Sequence, residues 1–139
     1  MTSIINNIAK GQLVQFNFVQ DAVAASQTDV QLALNEAQSL VVGASVPFTG
    51  AIVAISYDIQ VAGTAGVFTI GATIGGTENA TTTQTVGTTT QGYAAFGRDA
   101  VPLVAGDIVG VEITTDGSWD GTTADLAVVV WVLQYVEGI

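Results

Sequence analysis

The feature that most constrains the fold is the period of the apolar side chains, which recur at every second residue along most of the chain. Val14, Phe16 and Phe18 alternate near the start, and a similar alternation runs from Val109 to Ile113. A period of two matches the pleat of a strand with one buried face, whereas a helix needs a period of about 3.6. The sequence therefore predicts an all-β protein.

Turn signals divide the chain into short strands. The predicted strands are Val14–Phe18, Val30–Leu34, Leu40–Val42, Val53–Val61, Val67–Ile74, Tyr93–Phe96, Val101–Val104, Ile108–Thr115 and Ala124–Val136. We expect Val53–Val61 and Val67–Ile74 to form a hairpin across Gly63–Gly66. The pattern predicts an antiparallel β-sandwich, jelly-roll-like, of about eight strands over residues 13–139, preceded by an N-terminal arm over residues 1–12.

Two segments stand apart from the alternation. The Ala-rich stretch Asp21–Gln27 is compatible with a helical turn. In the Thr-rich stretch Thr77–Gln91, a Thr-Thr-Thr-Gln run occurs twice, and either a binding edge or a solvated hairpin would explain it. We favour the solvated hairpin, because β-branched polar residues suit an exposed strand.

The last predicted strand is apolar on both faces. Leu126, Val128, Val130 and Val132 share one face, and Val129, Trp131, Leu133 and Tyr135 share the other. In a two-layer sandwich only one face of a strand meets the opposite sheet, so the second apolar face needs another cover. We expect a subunit interface there; the alternative is an arm of the same chain folded over it.

The balance of charge excludes one class of partner. The chain has 12 acidic residues and only two cations, Lys10 and Arg98, which gives a net charge of −10. Nucleic acid would be repelled by such a surface. Scarce Lys and Arg beside 49% hydrophobic residues indicate a surface covered by other subunits. As one of two cations, Arg98 is expected to meet a carboxylate of a neighbouring subunit.

Targeting signals are not apparent in the sequence. Met1–Gly11 lacks the pattern of a secretory signal, and the apolar stretch Leu40–Ile55 is interrupted by Gly and Pro and is too short to span a bilayer. We therefore expect a soluble chain that does not interact with membranes.

The catalytic repertoire of the chain is narrow. Histidine and cysteine are both absent, so nucleophiles activated by them and zinc sites built from them are excluded. The remaining acids are scattered singly rather than paired. The sequence predicts no enzyme, no cofactor and no metal.

One loop has a composition that is compatible with a calcium site. Asp116–Asp120 combines carboxylates with glycine, and Asp107 or Asp125 would complete a set of oxygen ligands. Asp and Gly are also the usual residues of plain turns, which is the interpretation we favour. Trp119 in this loop is either a sugar-stacking platform or a plug at the end of the sandwich, and we favour the plug.

Three stretches together resemble a known family. They are Val46–Ser56, Ala65–Ile70 and the run from Ala105–Asp116 into Asp125–Val130. These resemble the small jelly-roll domains of tailed-bacteriophage virion proteins, which occur as capsid decoration (cement) proteins and at fibre ends. The likeness covers roughly residues 30–136 and also extends to bacterial surface and spore-coat jelly rolls. It implies a homotrimer without a cofactor.

Three functions follow as hypotheses. The leading one is a decoration protein that is made in the host cytoplasm and binds the major capsid protein on the virion surface. It is favoured over a fibre protein because no heptad shaft or collagen-like repeat precedes the sandwich. The second is a receptor- or glycan-binding tip, with Trp119, Tyr93 and Thr88 as its exposed contact surface. The third is a bacterial surface or spore-coat protein.

Overall fold

The computed structural model describes residues 11–34 and 43–135, and these residues form two antiparallel sheets. The strands, in chain order, are β1 (Gln12–Gln20), β2 (Val30–Gln31), β3 (Ala33–Leu34), β4 (Ala44–Ser45), β5 (Gly50–Ile59), β6 (Phe68–Ile74), β7 (Thr77–Glu78), β8 (Gln84–Val86), β9 (Gln91–Ala95), β10 (Pro102–Leu103), β11 (Ile108–Thr115) and β12 (Leu126–Gln134). A 3₁₀ turn, Ala80–Thr82, lies between β7 and β8. The all-β prediction is confirmed.

Sheet A is built around the last strand. Its order is β10-β5-β12-β1-β3, with β9 also paired to β5. β12 lies between β1 and β5 and pairs with β1 along its whole length, from Gln12 opposite Gln134 to Gln20 opposite Leu126. The pairing with β5 shifts register between Trp131 and Val132, which leaves Val53 as the extra residue of a bulge.

Sheet B covers the inner face of sheet A. Its order is β2-β11-β6-β7, with β4 also paired to β11 and β8 to β6. One hydrophobic core joins the two sheets. The inward side chains of β12 (Leu126, Val128, Val130 and Val132) and of β11 (Val109, Val111 and Ile113) are all buried, as their alternation predicts. The described residues therefore form an antiparallel β-sandwich.

The predicted strand Val53–Val61 is correct at its centre and wrong at its ends. Ile55, Tyr57 and Ile59 are buried as expected. The strand ends at Ile59, however, so Val61 lies beyond it and is exposed, and Val53 lies in the bulge. Alternation predicts the faces of a strand only while its pairing is regular.

Pairing partners account for two further corrections. β5 and β6 lie in different sheets, so the predicted hairpin across Gly63–Gly66 is wrong, and this segment instead crosses between the layers. The Thr-rich stretch is not a solvated hairpin either, because β7 and β8 each pair with β6 while Thr82 and Val86 are buried. Turn residues indicate that a chain reverses, but not which sheet receives the next strand.

The Ala-rich stretch after β1 is not helical. Asp21–Gln27 consists of bends and irregular backbone, and Ala22 and Ser26 have positive φ angles that a right-handed helix excludes. The predicted strand Leu40–Val42 and residues 1–10 of the predicted arm lie outside the described residues, whereas Gln12 belongs to β1.

Candidate interaction surfaces

The outer face of sheet A carries the second apolar row of β12. Val129, Trp131 and Leu133 point away from the core and are half-buried, alternating with fully buried neighbours. Asn17 and Ser56 flank Val129 across the paired strands. No described strand layer packs on this side of sheet A. A second subunit or another segment of the chain placed there would bury the row.

Residues from neighbouring strands enlarge this apolar row. Leu13 lies opposite Leu133 and is 59% exposed, and Tyr93 on β9 lies beside Ser56 and is 82% exposed. Ala54 and Ala95 lie in the same row as Trp131. We call the set Leu13, Ala54, Tyr93, Ala95, Val129, Trp131 and Leu133 the outer apolar patch. Leu13 and the two alanines were not predicted, because only strand register brings them beside β12.

Tyr135 and Arg98 mark one end of the patch. Tyr135 follows β12, and its backbone N–H donates to the Thr49 carbonyl at 2.8 Å. The guanidinium carbon of Arg98 lies 5.0 Å from the centroid of the Tyr135 ring, within the range of a cation–π contact. Of the five residues predicted for the interface, Val129, Trp131, Leu133 and Tyr135 follow one another at every second position of β12 and its extension, and Arg98 contacts the last of them, Tyr135.

The opposite end of the patch is acidic. Asp21, Asp58, Gln60 and Asp125 border a hollow of about 310 Å³ at the start of β12. Asp58 accepts a hydrogen bond from the Gln91 side chain at 2.7 Å, and Asp125 accepts one from the Ala22 N–H at 2.9 Å. The outer face of sheet A therefore runs from a carboxylate-rich end to the end that holds Arg98.

Trp119 does not belong to an exposed binding surface, which corrects one residue of the tip hypothesis. Only 2% of it is exposed, and its indole Nε1 donates to the Val23 carbonyl at 3.0 Å. The ring packs edge-on against Phe68, with centroids 4.8 Å apart. Gly63 and Gly121 lie so close that a Cβ on either would come within 2.4 Å of the indole ring. This burial agrees with the interpretation favoured from the sequence, a plug at the end of the sandwich.

The other two residues of the tip hypothesis are exposed. Thr88 lies in the loop before β9, and the hydroxyl of its neighbour Thr89 is hydrogen-bonded to that of Tyr57 at 3.0 Å. Tyr93 lies within the outer apolar patch. Because Trp119 is buried, Tyr93 is the one aromatic side chain that remains of the contact surface in the tip hypothesis.

Backbone donors occupy the carboxylates of the Asp116–Asp120 loop. Asp116 accepts from the N–H groups of Val67 and Ser118 at 3.0 and 2.9 Å. Asp120 accepts from the Thr64 hydroxyl and from the N–H groups of Thr64 and Ala65. These bonds, above all the one from the Thr64 hydroxyl, lower the pKa of Asp120 below its usual value. The two side chains tie this loop to the Gly63–Val67 crossing.

The other proposed calcium ligands point elsewhere. Asp107 accepts from the Val104 N–H at 2.9 Å within its own turn, and Asp125 is hydrogen-bonded to Ala22. Over residues 11–34 and 43–135, no group of three or more acidic side chains has the arrangement of a metal site. The geometry does not support the calcium hypothesis.

The sequence was compared with protein-family models and with curated proteins. No family model matches the chain, and no curated protein matches it. Within the described ranges, no helix has both the length and the apolarity that crossing a membrane requires.

Proposed function

We propose that this protein is a non-enzymatic structural module that assembles as a homotrimer through the outer face of sheet A and decorates the capsid of a tailed bacteriophage. The observation that carries the proposal is the second apolar face of β12. Val129, Trp131 and Leu133 project from the side of sheet A opposite the core. Burying such side chains against another subunit is favourable by about 25 cal/mol per Å² of apolar surface.

The distribution of charge on this face supports contacts between unlike ends. The acidic hollow lies at the start of β12 and Arg98 contacts Tyr135 just after its end, so the two are separated by roughly the length of this nine-residue strand, about 26 Å at about 3.3 Å per residue. In a closed ring of three subunits each interface joins two different patches. A ring can therefore place the Arg98 end of one subunit near the acidic end of the next.

The capsid role is supported by the sequence resemblance. The stretches Val46–Ser56 and Ala105–Asp116 resemble jelly-roll decoration proteins, which form trimers on phage heads. The β-sandwich is compatible with a jelly roll, and the finer topology is part of the proposal. The proposed partner is the major capsid protein, and the docking element is the N-terminal arm.

The assembly part is tested by mass and by a charge placed on the patch. Light scattering should give three times the 14.1 kDa chain mass. Trp131→Asp should abolish the trimer, because assembly would bury an unpaired charge. The matched control is Thr85→Asp, which places the same charge at an exposed position of sheet B. A monomeric wild-type protein, or a Trp131→Asp trimer of unchanged stability, would contradict the proposal.

A receptor- or glycan-binding tip is the second candidate, and the observation that favours it is the exposed ring of Tyr93. Exposed aromatic rings are common platforms for sugars. Binding on a glycan array that is lost in Tyr93→Ala, while the trimer persists, would favour this candidate.

A further inference from the structure

Glu112 occupies an unusual position for a carboxyl group. It lies in the middle of β11 on the outer face of sheet B, yet only 7% of it is exposed. Gln31 lies opposite it on β2, and the Gln31 side-chain Nε2 donates to Glu112 Oε2 at 3.2 Å. Gly71 lies opposite it on β6. An outward carboxyl in mid-strand is therefore covered from both sides.

The side chain of Glu78, from β7, covers Gly71. A Cβ on Gly71 would lie 2.1 Å from Glu78 Oε1. The carboxyl of Glu78 therefore occupies the space that a side chain at position 71 would fill. This places the carboxyl of Glu78 beside that of Glu112. The Thr83 hydroxyl donates to the same oxygen of Glu78, which fixes its orientation.

Two adjacent carboxyl groups do not both ionise easily. Burial is the largest of the causes that together raise the pKa of Glu112 to about 7; the others are the hydrogen bond with Glu78 and the charges of Asp29 and Glu78. Among the described residues packed around Glu112, β7 contributes Glu78 and the segment before β2 contributes Asp29. β2 and β6 contribute the uncharged residues Gln31, Gly71 and Thr73. No described cation offsets the paired carboxyls.

We propose that Glu112 and Glu78 form a pH-sensitive latch, in which one shared proton holds the segment Thr77–Val86 against sheet B. Two neutral contacts anchor the same segment: the Asn79 N–H donates to the Ala72 carbonyl at 2.9 Å, and the Ala72 N–H donates to the Thr82 hydroxyl at 2.8 Å. Loss of the proton leaves two facing carboxylates that repel each other. The latch is independent of the assembly proposed above.

The pH range of the effect follows from proton linkage. Folding raises the pKa of Glu112 from 4.5 to about 7, so between these values the folded state binds more protons than the unfolded state. The free energy of unfolding must then fall as pH rises through this range. The stabilising contribution is fully present below pH 4.5 and is lost above pH 7.

The experiment compares melting temperatures from pH 5 to pH 8.5 for wild type, Glu112→Gln and Asp107→Asn. The amide in Glu112→Gln donates to Glu78 at every pH, so wild type should lose roughly 5 °C relative to this variant as pH rises. Asp107→Asn removes an equal charge from a turn, and its amide oxygen can still accept from the Val104 N–H, so this variant should keep the wild-type profile. Parallel profiles for wild type and Glu112→Gln would refute the latch.

A second measurement does not depend on the folding of Glu112→Gln. The carboxyl carbon resonance of Glu112, followed by NMR in the wild-type protein, should titrate with a midpoint near 7. In Glu78→Gln the midpoint should fall, because the like charge is gone. A wild-type midpoint below about 5, or one that Glu78→Gln does not move, would overturn the proposal.

Discussion

At the scale of single residues, several aspartates of this protein serve as hydrogen-bond acceptors for loops. Asp116 and Asp120 together accept bonds from four backbone N–H groups, those of Thr64, Ala65, Val67 and Ser118. A carboxylate accepts such bonds more strongly than a neutral oxygen does. The charge that suggests a calcium ligand in the sequence is used to orient two loops.

We expect Asp120→Ala to lower the melting temperature by a few degrees, because three donors on Thr64 and Ala65 lose their acceptor. The lowered pKa of Asp120 means that its contribution is present above about pH 4 and is lost as pH falls further. Calcium chelation should leave the wild-type melting temperature unchanged. A large fall on addition of EDTA would contradict this interpretation and restore the calcium site.

At the scale of elements, Trp119 joins the loops at one end of the sandwich. It contacts Phe68 at the start of β6, donates to Val23 after β1, and lies against Gly63 in the crossing from sheet A to sheet B. These loops share one buried aromatic ring in addition to their polar contacts. Large side chains are excluded at Gly63 for this reason.

Gly63→Ala should therefore destabilise the fold by about 1–3 kcal/mol through overpacking against the indole ring. Gly97→Ala is the matched control, since nothing lies within 4 Å of its added Cβ. The control should stay within about 0.5 kcal/mol of wild type. Urea denaturation measures the free energy of unfolding of both variants. Equal values would contradict the prediction, because they would mean that the indole ring moves aside at little cost.

At the scale of the whole molecule, the proposed role rests on one face of one sheet. The outer apolar patch lies on sheet A, whereas the outer face of sheet B carries the Glu112–Glu78 pair. The two sheets thus present chemically different surfaces, one suited to apolar contact and the other polar. Such a division suits a subunit that contacts neighbours on one side.

Phage particles provide the test of the capsid role. Particles without the protein should form but release their DNA at a lower temperature, because a late-binding clamp stabilises a finished lattice. Deletion of Met1–Lys10 should preserve the trimer and weaken its binding to particles, if the arm is the docking element. Equal heat resistance of particles with and without the protein would reject the decoration role.

The sequence predicts some of these features and misses others for physical reasons. The faces of β11 and β12 follow from alternation, because the pleat sends successive side chains to opposite sides. The sequence does not show that Glu112 is unusual, because its burial depends on Gly71 and Glu78, and only strand register brings these residues beside it. The predicted hairpin over Gly63–Gly66 failed because a turn signal does not specify the sheet of the next strand.

The placement of β12 also bears on how the protein is made. β12 follows every other described strand in the chain, yet it lies at the centre of sheet A, between β1 and β5. While a ribosome is still synthesising the region before Leu126, β1 has no partner for the edge that β12 will occupy. Sheet A can therefore be completed only after synthesis has passed Gln134. Pairing between strands that lie so far apart in the chain slows folding. A nascent chain that stalls before β12 would expose two unpaired strand edges to aggregation.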